Sequence, residues 1–195
     1  MELLPRAFYD RDTLEVARDL LGKYLVRRVD GAELVVRITE TEAYIGSVDK
    51  ACHAYGGRRT ARTETLYAKP GTAYVYLIYG MYHCLNFVTE PEDTAAAVLL
   101  RGVEAVSGTD LMAYNRFGRG YDQLTAYQRK NFLNGPGKVC KALAITRTHN
   151  GLDLTGGGEL FLCAGESPTG EIHVGKRIGI DYAQEAVDFP WRFWL

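Results

Sequence analysis

Four tyrosines fall within nine residues, Tyr74-Val75-Tyr76-Leu77-Ile78-Tyr79-Gly80-Met81-Tyr82, and no other stretch constrains the fold so tightly. Residues 74–79 and 82–88 are rich in aromatic and β-branched side chains, as strands are. Gly80-Met81 between them fits a two-residue type II′ turn, whose first central position takes Gly for its positive φ. A hairpin is therefore expected, with Tyr79 and Met81 at its tip. Alternation along the strand puts Tyr74, Tyr76 and Ile78 on one face and Val75, Leu77 and Tyr79 on the other. Rings displayed in this way either pack as a cross-strand ladder or stack on planar ligands such as bases. The segment by itself admits both.

The remaining elements surround this hairpin. Asp12-Thr13 is suited to cap a helix carrying Leu14, Ala17, Leu20 and Leu21 at helical spacing, with Gly22 at its end. Residues 23–29 and 33–44 read as strands joined through Asp30-Gly31, and 95–106 as a strand with Arg101 in its middle. Residues 45–72 lack periodicity and are too long for a plain connection, which marks a functional loop. Helices are expected at 110–116, 122–132 and 138–145, the last opened by Gly135-Pro136-Gly137-Lys138, followed by strands at 160–163 and 172–180. Hairpin-linked strands with grouped helices predict an α+β fold. It would be one domain over residues 1–195, with a largely antiparallel, curved sheet, flanking helices and a protruding hairpin.

Composition narrows the setting. The 195-residue chain is 47% apolar and 24% charged, as folded proteins are. No run of about 18 apolar residues predicts a membrane span, and the opening Met-Glu-Leu-Leu-Pro-Arg lacks the basic-then-apolar order of a signal peptide, so a cytoplasmic protein is expected. Cys52, Cys84, Cys140 and Cys163 form no Cys-x-x-Cys pair and should be reduced and mostly buried; no metal site and no cofactor are predicted. The net charge of −1 is unevenly spread. Lys50, Arg58, Arg59, Arg62 and Lys69 meet only Glu64 in the 50–72 loop, and seven basic residues between Arg116 and Arg147 meet only Asp122. A basic side of this kind can face nucleic acid.

Chemistry concentrates in Glu40-Thr41-Glu42-Ala43-Tyr44. Strand parity places Ile38, Glu40, Glu42 and Tyr44 on one face, a carboxylate beside a ring, which suits either a base next to a stacked substrate or a solvated strand end. Parity does not choose between Glu40 and Glu42. His53 has no partner at metal-ligand spacing, and Gly135-Pro136-Gly137-Lys138 lacks the remaining spacing of a phosphate-binding P-loop, which argues against nucleoside triphosphate hydrolysis.

Five segments in order, Glu40–Tyr44, the His53-x-x-Gly-Gly-Arg58 loop, Tyr74–Tyr82 with Asn86, Leu99-Leu100-Arg101, and Gly135-Pro136-Gly137-Lys138, together resemble the alkyladenine (3-methyladenine) DNA glycosylase family. Residues 177–180 and 191–194 are similar to its C-terminal region. The resemblance implies base-excision repair of damaged double-stranded DNA, with alkylated or deaminated purines flipped out and the N-glycosidic bond hydrolysed to leave an abasic site. It implies Glu42 as the general base that activates water and Arg101 as the residue helping to position it. Tyr44, His53 and Tyr76 would enclose the flipped base, Asn86 would screen normal guanine, and Tyr79 would intercalate. Arg58, Arg62, Met81, Tyr82 and Lys138 would contact the DNA backbone. No conspicuous lysine accompanies Glu42 on its strand, which together with the resemblance favours a monofunctional enzyme. A monomer is the default, since a wedge on asymmetric DNA needs no twofold symmetry, and no obligate protein partner is predicted. A non-catalytic nucleic-acid-binding module using tyrosine stacking, or a small-molecule hydrolase with an aromatic pocket, are the competing readings. The first needs no Glu42 carboxylate, and the second needs neither Arg58 nor Lys138.

Overall fold

A computed structural model describes residues 2–195 of the chain. Two short helices, α1 (Arg6–Tyr9) and α2 (Thr13–Asp19), open it, and the Asp12 side chain caps α2 by accepting from the amides of Leu14 and Glu15. Strands β1 (Tyr24–Val29), β2 (Ala32–Ile45), β3 (Ala73–Ile78), β4 (Tyr82–Val88) and β5 (Ala96–Ser107) follow. The helices α3 (Thr109–Phe117), α4 (Ala126–Lys130) and α5 (Pro136–Ala142) come next as a group, then the short strands β6 (Leu160–Cys163), β7 (His173–Gly175) and β8 (Arg192–Trp194). All pairings are antiparallel, in the order β3-β4-β5-β2-β1-β6, with β8 joining β2 to β7. The fold is α+β, as expected.

Strand β2 is the spine. One edge pairs with β5 along nearly its full length; the other is shared by β1 over its first half and by β8 at Glu40–Glu42. Its inward residues Leu34, Val36 and Ile38 join Val75, Leu85, Phe87, Val98 and Leu100 in one core, closed by Val16 and Ala17 of α2 and by Val139, Cys140 and Ala142 of α5. Truncating a core ring such as Phe87 to Ala would cost about 3–5 kcal/mol. All four cysteines are buried.

Several elements depart from expectation. The strand ladder closes on Ile78↔Tyr82, and the turn centres on Tyr79-Gly80, with φ of 53° and 70° and the Met81 amide donating to the Ile78 carbonyl at 3.2 Å. Two successive positive φ values are those of a type I′ turn, whose twist matches the strands, so the II′ turn at Gly80-Met81 is corrected by one residue. The helix expected at 122–132 breaks into a 3-10 turn, Tyr121–Gln123, and α4, because Thr125 and Gln128 form a capping box that starts a new helix. The third helix begins earlier than expected, with Pro136 in its first turn, and only His173–Gly175 of the 172–180 segment is strand. The long loop folds on itself through the 3-10 turns Tyr55–Gly57 and Glu64–Tyr67.

Candidate active site

The face of the hairpin carrying Tyr74, Tyr76 and Ile78 lines a cavity of about 770 Å³, together with their cross-strand partners Asn86, Cys84 and Tyr82. The 45–72 loop supplies Ala51, Cys52, His53 and Leu66, β2 supplies Tyr44, β5 supplies Leu99 and Arg101, and the segment before β8 supplies Ile178 and Ile180. Tyr79 also lines the mouth, although strand alternation assigned it to the opposite face. The strand ends at Ile78, and the left-handed conformation of Tyr79 swings its ring round while leaving it 80% exposed. Met81 and Tyr82 stand exposed beside it.

Glu42 sits at the back. Flanked by Leu99 of β5 and Arg192 of β8, it has no exposed surface. Its carboxylate accepts hydrogen bonds from the Tyr44 hydroxyl at 2.9 Å and the Ile178 amide at 2.9 Å, and Arg101 Nε lies 3.4 Å from Oε1. Burial pushes its pKa above the ordinary glutamate value, despite the opposing pull of Arg101, the Ile178 amide and Tyr44. Glu42 is thus behind the wall, and the side chains that bond it, Tyr44 and Arg101, are the ones that face the cavity. Arg101 reaches it from an irregular position where neither Arg101 nor Thr39 has a ladder partner, a local break that re-aims a side chain.

The rings are held by neighbours. Tyr76 meets His53 edge-on at 4.6 Å and Tyr74 at 5.3 Å. His53 Nδ1 lies 3.0 Å from the Tyr74 hydroxyl, and its Nε2 faces the Arg62 guanidinium at 3.5 Å. A guanidinium only donates, so Nε2 carries the lone pair and Nδ1 the proton. Burial and Arg62 lower the His53 pKa to about 4, leaving a neutral ring at pH 7. The Asn86 amide donates to the Tyr74 carbonyl at 3.1 Å, which fixes that side chain. Behind Tyr44 lies a group that sequence reading missed: Arg177, fully buried, bonds Asp49 at 2.5 and 2.8 Å and stacks its guanidinium between Tyr44 (4.6 Å) and Trp191 (5.1 Å). It also donates to the carbonyls of Ala43 and Ala186. The pair spans 128 residues of chain, so no local pattern announces it.

The cationic residues divide into two groups. Arg58 is exposed on the loop and lines a smaller recess of about 360 Å³ beside the cavity; Arg62, also exposed and on that recess, faces His53 with its guanidinium 5.7 Å from the Tyr76 ring centre. Lys138 lines the cavity, but its ammonium is held by Asn134 Oδ1 at 2.8 Å and by Asn131. Gly137 makes no open cradle, since a Cβ there would meet the Tyr82 Cβ and ring at 2.9 Å. Among the described residues no cluster of metal-ligating side chains is found.

A buried carboxylate thus lies behind an aromatic-walled cavity with an exposed ring at its mouth. The model of the methylpurine-DNA glycosylase family matches residues 7–195, and the chain belongs to that family of DNA glycosylases. Its relatives include proteins from Clostridium perfringens strain SM101 (53% identical; 98% of this chain and 95% of the relative), Alkaliphilus oremlandii (53%; 98% and 95%) and Desulfitobacterium hafniense (50%; 100% and 96%). Each of the three carries the name "Putative 3-methyladenine DNA glycosylase".

Proposed function

We propose that the protein removes alkylated or deaminated purines, of the 3-methyladenine, 7-methylguanine and hypoxanthine class, from duplex DNA by flipping the nucleotide and hydrolysing its N-glycosidic bond. The observation that carries this reading is a fully buried carboxylate of raised basicity, Glu42, bonded to the side chains that wall an aromatic cavity. Extruding a base costs a few kcal/mol, less at a damaged pair, and the exposed Tyr79 ring at the hairpin tip is placed to fill the vacated stack. Between Tyr44 and Tyr76 the base gains about 1–3 kcal/mol of stacking, and a cationic alkylpurine roughly 0.5–2 kcal/mol more from the ring faces. Asn86, fixed at the cavity wall, screens the purine edge.

In the chemical step a water gives its proton to Glu42 and its oxygen bonds the sugar C1′, while the C1′–N bond breaks and its electron pair leaves with the purine. An N3- or N7-alkylated purine departs neutral and needs no acid. Departure of hypoxanthine demands protonation or a hydrogen bond, and neutral His53, whose Nδ1–H is engaged by the Tyr74 hydroxyl, is no general acid at pH 7. Arg101, within reach of the carboxylate, helps to hold the water. Entry of the base displaces the Tyr44 hydroxyl from Glu42 and opens that oxygen to water.

No Schiff base is involved. Lys138 has a pKa lowered by desolvation and by Arg116 and Arg101, but its ammonium is engaged with Asn134 and Asn131. Arg58, Met81 and Tyr82 meet the DNA backbone, and Arg62 and Lys138 add positive potential there. The enzyme works in the cytoplasm as a monomer.

The test is to incubate the protein with duplexes bearing hypoxanthine or 7-methylguanine, develop abasic sites with alkali, and repeat with borohydride present. Alkali-dependent breaks without a covalent protein–DNA adduct are expected. Absence of breaks on every lesion defeats the glycosylase reading, and an adduct defeats the monofunctional one.

A further inference from the structure

Arg101 answers to two carboxylates. Glu40 and Glu42 leave the same face of β2, and Arg101 Nε lies 3.0 Å from Glu40 Oε1 but 3.4 Å from Glu42 Oε1. Glu40 takes the shorter bond. The same Glu40 oxygen accepts from Arg192 Nε of β8 at 2.6 Å, so Glu40 already has a cation of its own and does not need Arg101 to neutralise it. Gly102, which follows Arg101, leaves the room this requires: a Cβ there would come within 3.0 Å of Glu40 Cβ and 3.1 Å of its Oε2. The side chains of Arg101 and Glu40 are only 15% and 18% exposed, so the contact is little screened by water.

We propose that Glu40 is a positioning residue, which draws the Arg101 guanidinium off Glu42 and so keeps the Glu42 carboxylate free to take a proton from water. The proposal rests on Glu42 being the base. A guanidinium committed to Glu42 alone would stabilise its ionised form and make it a poorer base. The charged and titratable groups facing Glu42 are Arg101 from β5, Glu40 and Tyr44 from β2 and Cys84 from β4, with Arg192 of β8 bonded to Glu40 and Arg177 stacked behind Tyr44. Of these, Glu40 is the one that competes for Arg101.

The experiment is the single-turnover excision rate across pH for wild type, Glu40→Gln, Glu40→Asp, Arg192→Gln and Glu42→Gln, with thermal midpoints recorded for each. In Glu40→Gln, Arg101 closes onto Glu42; the acid limb should move to lower pH by about 1 unit and the plateau should drop roughly threefold. Arg192→Gln leaves Glu40 to Arg101 alone and should move the limb to higher pH. Glu40→Asp, which keeps the charge, should return the limb toward wild type. A Glu40→Gln profile that superimposes on wild type overturns the proposal, as does an Arg192→Gln limb that moves to lower pH. That second variant keeps the test alive if Glu40→Gln fails to fold. An inactive Glu42→Gln beside an unshifted Glu40→Gln sinks only the role of Glu40, whereas an active Glu42→Gln sinks the base assignment on which it rests.

Discussion

Tyr79 carries a cost at a single residue. A bulky side chain at φ 53° sits in a region that L-residues avoid, typically at about 1–2 kcal/mol. The ring, 80% exposed, gains little in return from the free protein, which fits the intercalating role proposed for it. Tyr79→Asn, which tolerates that conformation, should keep or raise the thermal midpoint while lowering lesion excision at least tenfold; a lower midpoint with unchanged excision would show that the ring serves the fold. Glu42 is a second such residue. Its folded pKa is raised, so its contribution favours folding below the ordinary glutamate value and is lost as pH rises through the raised one. Once ionised, above that raised value, the carboxylate is therefore a burden on stability. As the proposed base it works only when ionised, so excision should fall on acidification through a pKa above the ordinary one. Tyr44→Phe removes a hydrogen bond that holds this pKa down in the free protein, and the acid limb of its kcat/KM profile, which reports the free enzyme, should move to higher pH. A limb moving to lower pH would contradict the assignment of that hydroxyl.

Between elements, the site depends on a clamp. Arg177 ties the segment bearing Ile178 to β2 through the Ala43 carbonyl and the Tyr44 ring, and to the loop after β2 through Asp49, and Ile178 in turn bonds Glu42. Removing the Asp49 charge strands a buried guanidinium, so Asp49→Asn should destabilise the protein by about 3–5 kcal/mol, read as a lowered denaturation midpoint in urea. A change within 0.5 kcal/mol, the usual range for an unimportant surface site, would exclude the clamp. This clamp also shows where sequence reading stops. The tyrosine hairpin, its pocket-facing parity and the strand bearing Glu40 and Glu42 were legible because period-two alternation and turn residues are local. The shift of the turn onto Tyr79-Gly80 was not, since Gly80 suits either turn type. The irregular pairing at Thr39 and Arg101, the three-residue β8 and the Asp49–Arg177 pair depend on contacts between distant segments, and short strands carry too few residues to show a period.

Across the whole molecule, charge sorts into groups free to meet DNA and groups already committed. Arg59 adds to the basic charge of the 50–72 loop, yet it is bonded to Glu64 and Asp93, while its neighbour Arg58 is exposed beside the cavity. Arg58→Gln should therefore weaken binding to damaged and intact duplex alike and reduce the slope of log affinity against log salt by about 1, with Arg59→Gln changing it less. Anisotropy titrations at several salt concentrations measure this, and equal slopes for both variants would remove Arg58 from the interface. No described helix is long and apolar enough to cross a membrane. The sheet thus gathers one exposed ring, one walled cavity and one buried carboxylate on a single side. The most direct measurement is lesion excision by Glu42→Gln under single-turnover conditions, with lesion-DNA binding and thermal midpoint taken on the same sample. The mechanism predicts a rate lowered by about 10²–10⁴, retained binding and a midpoint at neutral pH no lower than wild type. Excision within a few-fold of wild type in the folded variant would contradict Glu42 as the base.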